Sequence, residues 1–262
     1  MMPDLHASLR RQQPLVQCIT NYVAMNFAAN VLLAAGASPA MVHAPEEAGE
    51  FANLAGALTI NIGTLSSDWL AGMRLAAQAA NRSNTPWVLD PVAHYATAFR
   101  RNAVAELLAL HPTVIRGNAS EIIALTGGES AGRGVDSGDS VELAQASAVA
   151  LARAAQAVVA VTGEVDFVTD GKRAVHVSGG SAFMPKVTAM GCALTCLVGA
   201  FTAVSPADPF TATVAALSCF GVAGMRAEHD SAGPGSFSWR FLDELAALEA
   251  GAGDEQIRLA SP

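Results

Sequence analysis

Along the chain, short runs of consecutive apolar residues alternate with longer stretches in which apolar positions recur every three or four residues. The short runs, bounded by Pro, Gly, Asn or Asp, read as buried strands, and the longer stretches as helices packed by one face. Six strand-like runs follow in order: LVQCIT (15–20), SPAMV (38–42), ALTINIG (57–63), PWVLD (86–90), PTVIRGN (112–118) and AVVAVTG (157–163). Helices are expected between them. The first is capped by Asn21, buries Val23, Phe27, Val31 and Leu32, and stops at Gly36; Pro45 opens the second, PEEAGEFANLA (45–55). SDWLAGMRLAAQAAN (67–81), FRRNAVAELLALH (99–111), EIIAL (121–125) and SVELAQASAVALARAAQ (140–156) complete the series. Asn118 and Glu121 are spaced as a capping box before EIIAL.

After the sixth strand the period changes. DFVTDG (166–171) and KRAVHVSGG (172–180) alternate about a turn at Asp170–Gly171 and read as a β-hairpin at the sheet edge. A small-residue helix then starts at Gly191, taken as the tight turn, and Cys192, and runs through Leu194, Leu197 and Val198 to Phe201. Two more helices, PFTATVAALSCFGVAGMRAEH (209–229) and SFSWRFLDELAALEA (236–250), precede a tail from Gly251 expected to be loosely held. Gly127–Ser140, rich in Gly and Ser, reads as a loop. The pattern specifies one α/β domain over residues 1–262, with a mostly parallel central sheet covered by helices on both faces.

Composition narrows the function. A hydrophobic fraction of 52% in 262 residues supplies a large core. A net charge of −8 and a pI near 5.2 exclude a basic nucleic-acid surface. The N-terminal run MMPDLHASLRRQQP has no apolar h-region, and no stretch of about twenty uninterrupted apolar residues offers a bilayer span. Cys18, Cys192, Cys196 and Cys219 have no metal-type spacing and read as reduced thiols, so a cytoplasmic location is expected.

Ligands of open α/β sheets bind outside the carboxyl ends of the strands. Those ends carry Asn21, Met41, Gly63, Asp90, Arg116, Asn118, Glu121 and Thr162. Singly, each also fits a helix cap or a turn. Cys192 stands in the first turn of its helix, where unpaired N–H groups and the helix dipole receive anions and lower a thiol's pKa. As a bare residue type, cysteine is also a common small hydrophobe of cores. No GxxxxGK[ST] loop is present, so a phosphate would be cradled by Gly191 and its helix, with Glu121 and Asp90 placed to hold Mg²⁺. A kinase is one reading. Others are a hydrolase pairing Cys192 with one of six histidines, and a non-catalytic small-molecule-binding protein.

CITNYVAMNFAANVLLAAGASPAMVHAPEE (18–47), NIGTL (61–65), LDPV (89–92), IRGNASEI (115–122), VAVTGEVDFVTDG (159–171) and VTAMGCALTCLVGAF (187–201), followed by GPGSF (233–237) and FLDEL (241–245), resemble the hydroxyethylthiazole kinase family in order along nearly the whole chain. The resemblance implies a three-layer ribokinase-like fold and ATP-dependent phosphorylation of 4-methyl-5-(2-hydroxyethyl)thiazole in thiamine salvage, with Mg²⁺. Cys192 then occupies the place of the catalytic aspartate of ribokinase-like kinases. Asn21, Met41, Gly63 and Ala189 would contact the thiazole, Arg116, Thr162, Asn118 and Gly191 the ATP, and Asp90 and Glu121 the metal. It also implies a homotrimer with sites between subunits. Kinases of hydroxymethylpyrimidine or pyridoxal share the fold and form the related alternative. Two departures stand out: Ala189 replaces the first glycine of a GTGC-like turn, and AHYATAF (93–99) replaces a glycine-rich segment after Asp90.

Overall fold

The computed structural model describes residues 5–128, 139–249, 251–252, 254 and 257–260. The middle of the expected loop over 127–140, residues 129–138, lies outside this set. Nine strands form one sheet: β1 Leu15–Ile19, β2 Ser38–Ala40, β3 Ala57–Asn61, β4 Trp87–Asp90, β5 Val114–Asn118, β6 Val158–Thr162, β7 Asp166–Thr169, β8 Ala174–Val177 and β9 Ile257–Ala260. Their order is β2-β1-β3-β4-β5-β6-β7-β8-β9. The first six in space are parallel, and β6 to β9 pair antiparallel.

Successive side chains of a strand point to opposite faces, which divides the core. Cys18, Val88 and Val114 join one hydrophobic layer, whereas their neighbours Ile19, Leu89 and Ile115 join the other. The first layer is built with α1 Leu5–Gln12, α2 Met25–Ala35, α8 Met190–Val204, α9 Pro209–His229 and α10 Pro234–Ala247. The second holds α3 Ala48–Ala52, α4 Ser67–Ser83, α5 Ala98–Leu108, α6 Ala119–Leu125 and α7 Val141–Ala155. The helices thus cover both faces, giving the expected three layers. By length and composition α9 is apolar enough to cross a bilayer, yet 78% of that window is buried against the rest of the chain.

Several local expectations change. Helix α1 was not foreseen; it is fixed because Leu5 and Leu9, one turn apart, bury against the core. Helix α2 begins at Met25 rather than at Asn21, whose side-chain oxygen instead accepts the N–H groups of Val23 and Ala24 at 3.1 Å each. Helix α3 covers only five of the eleven residues predicted. The tail from Gly251 is not loose throughout, since Ile257–Ala260 pairs with β8 and displaces the β7–β8 hairpin from the edge. Before α8 the left-handed turn falls on Ala189 (φ 68°, ψ 4°), so Gly191 is already helical.

Candidate active site

Because β1 and β3 to β6 run parallel, their carboxyl ends gather at one rim, and the N-terminus of α8 meets them there. A cavity of about 1160 Å³ opens between them. Ten of the eleven residues singled out from the sequence line it: Asn21, Gly63, Asp90, Arg116, Asn118, Glu121, Thr162, Ala189, Gly191 and Cys192. Met41 does not. It follows β2, the outermost strand, and packs half-buried against the first core layer.

The polar floor is held by hydrogen bonds among buried side chains. Asp90 is 1% exposed, and its Oδ2 accepts Asn61 Nδ2 at 2.7 Å and Thr195 Oγ1 at 2.8 Å while facing Arg116 Nη1 at 3.6 Å. Asn61 Oδ1 accepts Asn21 Nδ2 at 2.9 Å, and Asn21 Nδ2 also donates to Cys192 Sγ at 3.2 Å. The capping box forms as expected: Asn118 Oδ1 accepts the Glu121 N–H at 2.9 Å, and Glu121 Oε2 accepts the Asn118 N–H at 2.8 Å. Glu121 Oε1 reaches across to the Ala93 N–H at 2.9 Å, tying the start of α6 to the loop after β4. Arg116 Nη2 donates to Thr162 Oγ1, and Arg116 Nε is buried without a hydrogen-bond partner among the described residues.

The electrostatics correct one expectation. A helix terminus was expected to lower the Cys192 pKa, but burial, aided by the Asp90 carboxylate, pushes the thiol up to about 12 against the opposing pull of Asn21, Arg116 and Asn61. Desolvation outweighs the helix N-terminus, and the group is a neutral thiol at pH 7. Burial likewise raises Asp90, with Arg116 opposing. Burial and the neighbouring Asp90 raise Glu121 to about 7. Burial raises Asp166, a further cavity residue whose Oδ1 accepts the Gly163 N–H, to about 7.

Sequence reasoning missed Asn61, Thr195, Asp166 and Arg100. Arg100 donates to the carbonyls of Ile62, Gly63 and Val92, clasping the loops after β3 and β4. The available signal was a polar residue inside an apolar run, as in ALTINIG and GCALTCLV. No described histidine lines the cavity, which removes the partner that a cysteine hydrolase requires. His94 is buried, so that desolvation lowers its pKa to about 4, and His43 packs on Trp69 with ring centroids 4.6 Å apart.

Two carboxylates, a guanidinium and a helix mouth converging on one cavity make a phosphoryl-transfer site chemically reasonable, and comparison with known proteins decides the family. The model of the hydroxyethylthiazole kinase family matches residues 6–251. The chain belongs to the hydroxyethylthiazole kinase family. It is 71% identical over 254 residues to the hydroxyethylthiazole kinase of Rhizobium johnstonii, covering 97% of this chain and 95% of that protein. With the one of Gemmatimonas aurantiaca it is 62% identical over 245 residues, covering 94% and 88%. The hydroxyethylthiazole kinase structure from Pyrococcus horikoshii OT3 superposes with a TM-score of 0.89 at 39% identity, over 98% of both chains. A pyridoxal kinase from Staphylococcus aureus shares the fold at a TM-score of 0.62 and 15% identity, over 82% of this chain and 88% of that one. The fold is therefore that of ribokinase-like kinases.

Hydroxyethylthiazole kinases use ATP, and the residues present suit a divalent cation that travels with phosphates. Among the described residues no three His, Cys, Asp or Glu side chains cluster into an all-protein metal site. Mg²⁺ does not need one, since it is commonly held by one or two carboxylates together with waters and substrate phosphates. Asp90 and Glu121, both buried and both lining the cavity, have the hard oxygen donors for that role.

Proposed function

We propose that the chain transfers the γ-phosphoryl group of ATP to the primary hydroxyl of 4-methyl-5-(2-hydroxyethyl)thiazole, yielding the thiazole phosphate of thiamine salvage. The observation that carries this reading is the meeting of Cys192, Arg116 and Asp90 at the mouth of α8 in one cavity. The alcohol lies against Cys192 Sγ with Asn21 and Gly63 beside it. The γ-phosphoryl group lies between the Arg116 guanidinium and the first-turn N–H groups of α8, two positive features that an anion reconciles. Thr162 and Asn118 contact the nucleotide phosphates. Leu217 and Phe220, which line the same cavity, supply apolar surface for the base.

The alcohol oxygen bonds to the γ-phosphorus as the bond to the β-phosphate oxygen breaks, ADP departs, and the hydroxyl proton is released. A loose transition state demands little early proton removal, so a neutral thiol suffices to align the alcohol, while the hydroxyl proton leaves late to an oxygen of the transferred phosphate or to solvent. Mg²⁺ held by Asp90 and Glu121 would neutralise phosphate charge. Met41, outside the cavity of its own chain, fits a homotrimer in which it completes a neighbour's thiazole pocket. The exposed Tyr22 and Val23 beside Asn21 support that assembly. Four free thiols suit the cytoplasm.

The test is to incubate the protein with Mg-ATP and the thiazole and to quantify thiazole phosphate beside Cys192→Ala. The parent forms product, and the variant folds but turns over roughly 100-fold more slowly, with its KM for ATP within about threefold. A variant as fast as the parent would remove Cys192 from the chemistry.

A further inference from the structure

Asn61 is 2% exposed, bonds the cavity-lining Asn21, Gly63 and Asp90, and has no role in the assignments above. Its amide orientation is not a free choice. The Gly63 N–H, which can only donate, points at Asn61 Oδ1 at 2.9 Å, so the oxygen must lie on that side and Nδ2 must face Asp90 Oδ2 at 2.7 Å. The same logic fixes Asn21. Its Oδ1 accepts the Val23 and Ala24 N–H groups, which turns Nδ2 toward Asn61 Oδ1 and Cys192 Sγ. Main-chain donors at both ends therefore impose one direction on the chain of contacts: Asn21 donates to the sulfur and to Asn61, and Asn61 donates to the carboxylate.

Two consequences follow for the reacting groups. Cys192 Sγ is an acceptor toward the protein, which leaves its own S–H for the cavity side. Asp90 receives an N–H from β3 and an O–H from Thr195 of α8, on the same Oδ2, so its carboxylate plane is set by two elements. No described residue bonds the other oxygen, Oδ1. Asn61 bonds both halves of this arrangement, Asn21 on the sulfur side and Asp90 on the other.

We propose that Asn61 is a positioning residue for phosphoryl transfer, holding the Asp90 carboxylate and, through Asn21, the Cys192 sulfur in fixed relative orientation at the reacting centre. The proposal rests on the roles given to Cys192 and Asp90 under the proposed function. Asn61 touches neither the alcohol nor the nucleotide, so its contribution falls on turnover and not on substrate affinity.

Asn61→Asp is the decisive variant, because it keeps the size and both accepted hydrogen bonds while replacing the N–H toward Asp90 with an oxygen. Asn61→Leu, which removes the polarity without adding charge, serves as the second variant should Asn61→Asp fail to fold. Steady-state kinetics are measured for thiazole and ATP, with the rate of Cys192 alkylation by iodoacetamide at pH 8 followed by peptide mass spectrometry. In whichever variant folds, kcat is expected to fall roughly 100-fold while both KM values stay within about threefold. Alkylation of Cys192 in Asn61→Asp is expected to slow severalfold, because a second carboxylate stands near the thiol. A structural role alone would lower stability and leave the alkylation rate and the split between kcat and KM unmoved. Parent-like kcat in a folded Asn61 variant overturns the proposal. Cys192→Ala is run in parallel: if it retains the parent rate, the site reading fails, whereas a slow Cys192→Ala beside an unimpaired Asn61 variant defeats only the role of Asn61.

Discussion

Ala189 holds a left-handed backbone, φ 68° and ψ 4°, at the residue that caps α8 beside Cys192. Ala93, whose N–H binds Glu121, does the same at φ 47°. For a residue with a Cβ such a conformation costs roughly 1–2 kcal/mol, so one alanine lining the site and one bonded to a lining residue both carry strain. Glycine at 189 relieves that cost and loses part of the gain to the entropy of the unfolded chain. A net gain of about 1 kcal/mol corresponds to a rise of about 2–4 °C in Tm for a chain of this size. Ala189→Gly is therefore expected to melt slightly higher in a thermal scan, with its KM for thiazole unchanged if that contact is made through the main chain. A lower Tm would mean that the methyl group makes contacts worth more than the strain. Residues such as Asp90 and Thr162 were legible in the sequence because each closes an apolar run. Asn61 and Thr195 were not, because each sits inside a run and bonds Asp90 from 29 and 105 residues away. The Cys192 pKa was misread for the same reason: the helix end belongs to its own segment, while the burial and the Asp90 charge that prevail come from other segments.

At the level of elements, α8 must bring its first turn close to a cation. A Cβ on Gly191 would lie 2.9 Å from Arg116 Nη1 and 3.1 Å from Nη2, so glycine is required by the approach of the guanidinium and not by backbone conformation. The two demands separate in Gly191→Ala. Alanine inside a helix is favoured over glycine by roughly 1 kcal/mol, whereas a displaced guanidinium would weaken the proposed phosphate site. Gly191→Ala is expected to keep or raise Tm while its KM for ATP rises about tenfold, the equivalent of about 1.4 kcal/mol of binding. An unchanged KM would take Arg116 out of nucleotide binding. The six parallel strands and most helices were readable because each repeats a period. The exceptions had no local signal. Helix α1 depends on a core assembled from distant segments, and β9 is a four-residue strand that pairs with β8 and packs Ala260 against the core.

The whole molecule concentrates its costly carboxylates in the cavity, and this has a consequence for stability against pH. Glu121 and Asp166 are raised to about 7, and Asp90 is raised as well. A carboxyl group with a higher pKa folded than unfolded binds its proton more tightly in the native state, so it adds stability that is complete at low pH and lost as pH rises through the folded value. Buried His94, lowered to about 4, acts in the opposite sense: its contribution is present above the ordinary histidine value of about 6.5 and is lost as pH falls toward 4. The two effects oppose each other between about pH 4 and 6.5. Among the described groups with a shifted pKa, the cavity carboxylates are the ones that change charge just above that range, because the lowered Asp170 and Asp208 change charge in acid and the raised Cys192 thiol does so near 12. The ligand-free protein is therefore expected to lose stability from pH 6.5 to 8, as a falling Tm in differential scanning calorimetry. Glu121→Gln, which cannot ionise, should show a shallower decline over that interval. An equally steep decline in the variant would place the responsible protons elsewhere, and a rising Tm in the parent would mean that these carboxylates are ionised well below neutrality. Phosphates accompanied by Mg²⁺ at Asp90 and Glu121 would favour the ionised carboxylates, so the alkaline instability of the empty cavity and the affinity of the loaded one would share a single cause.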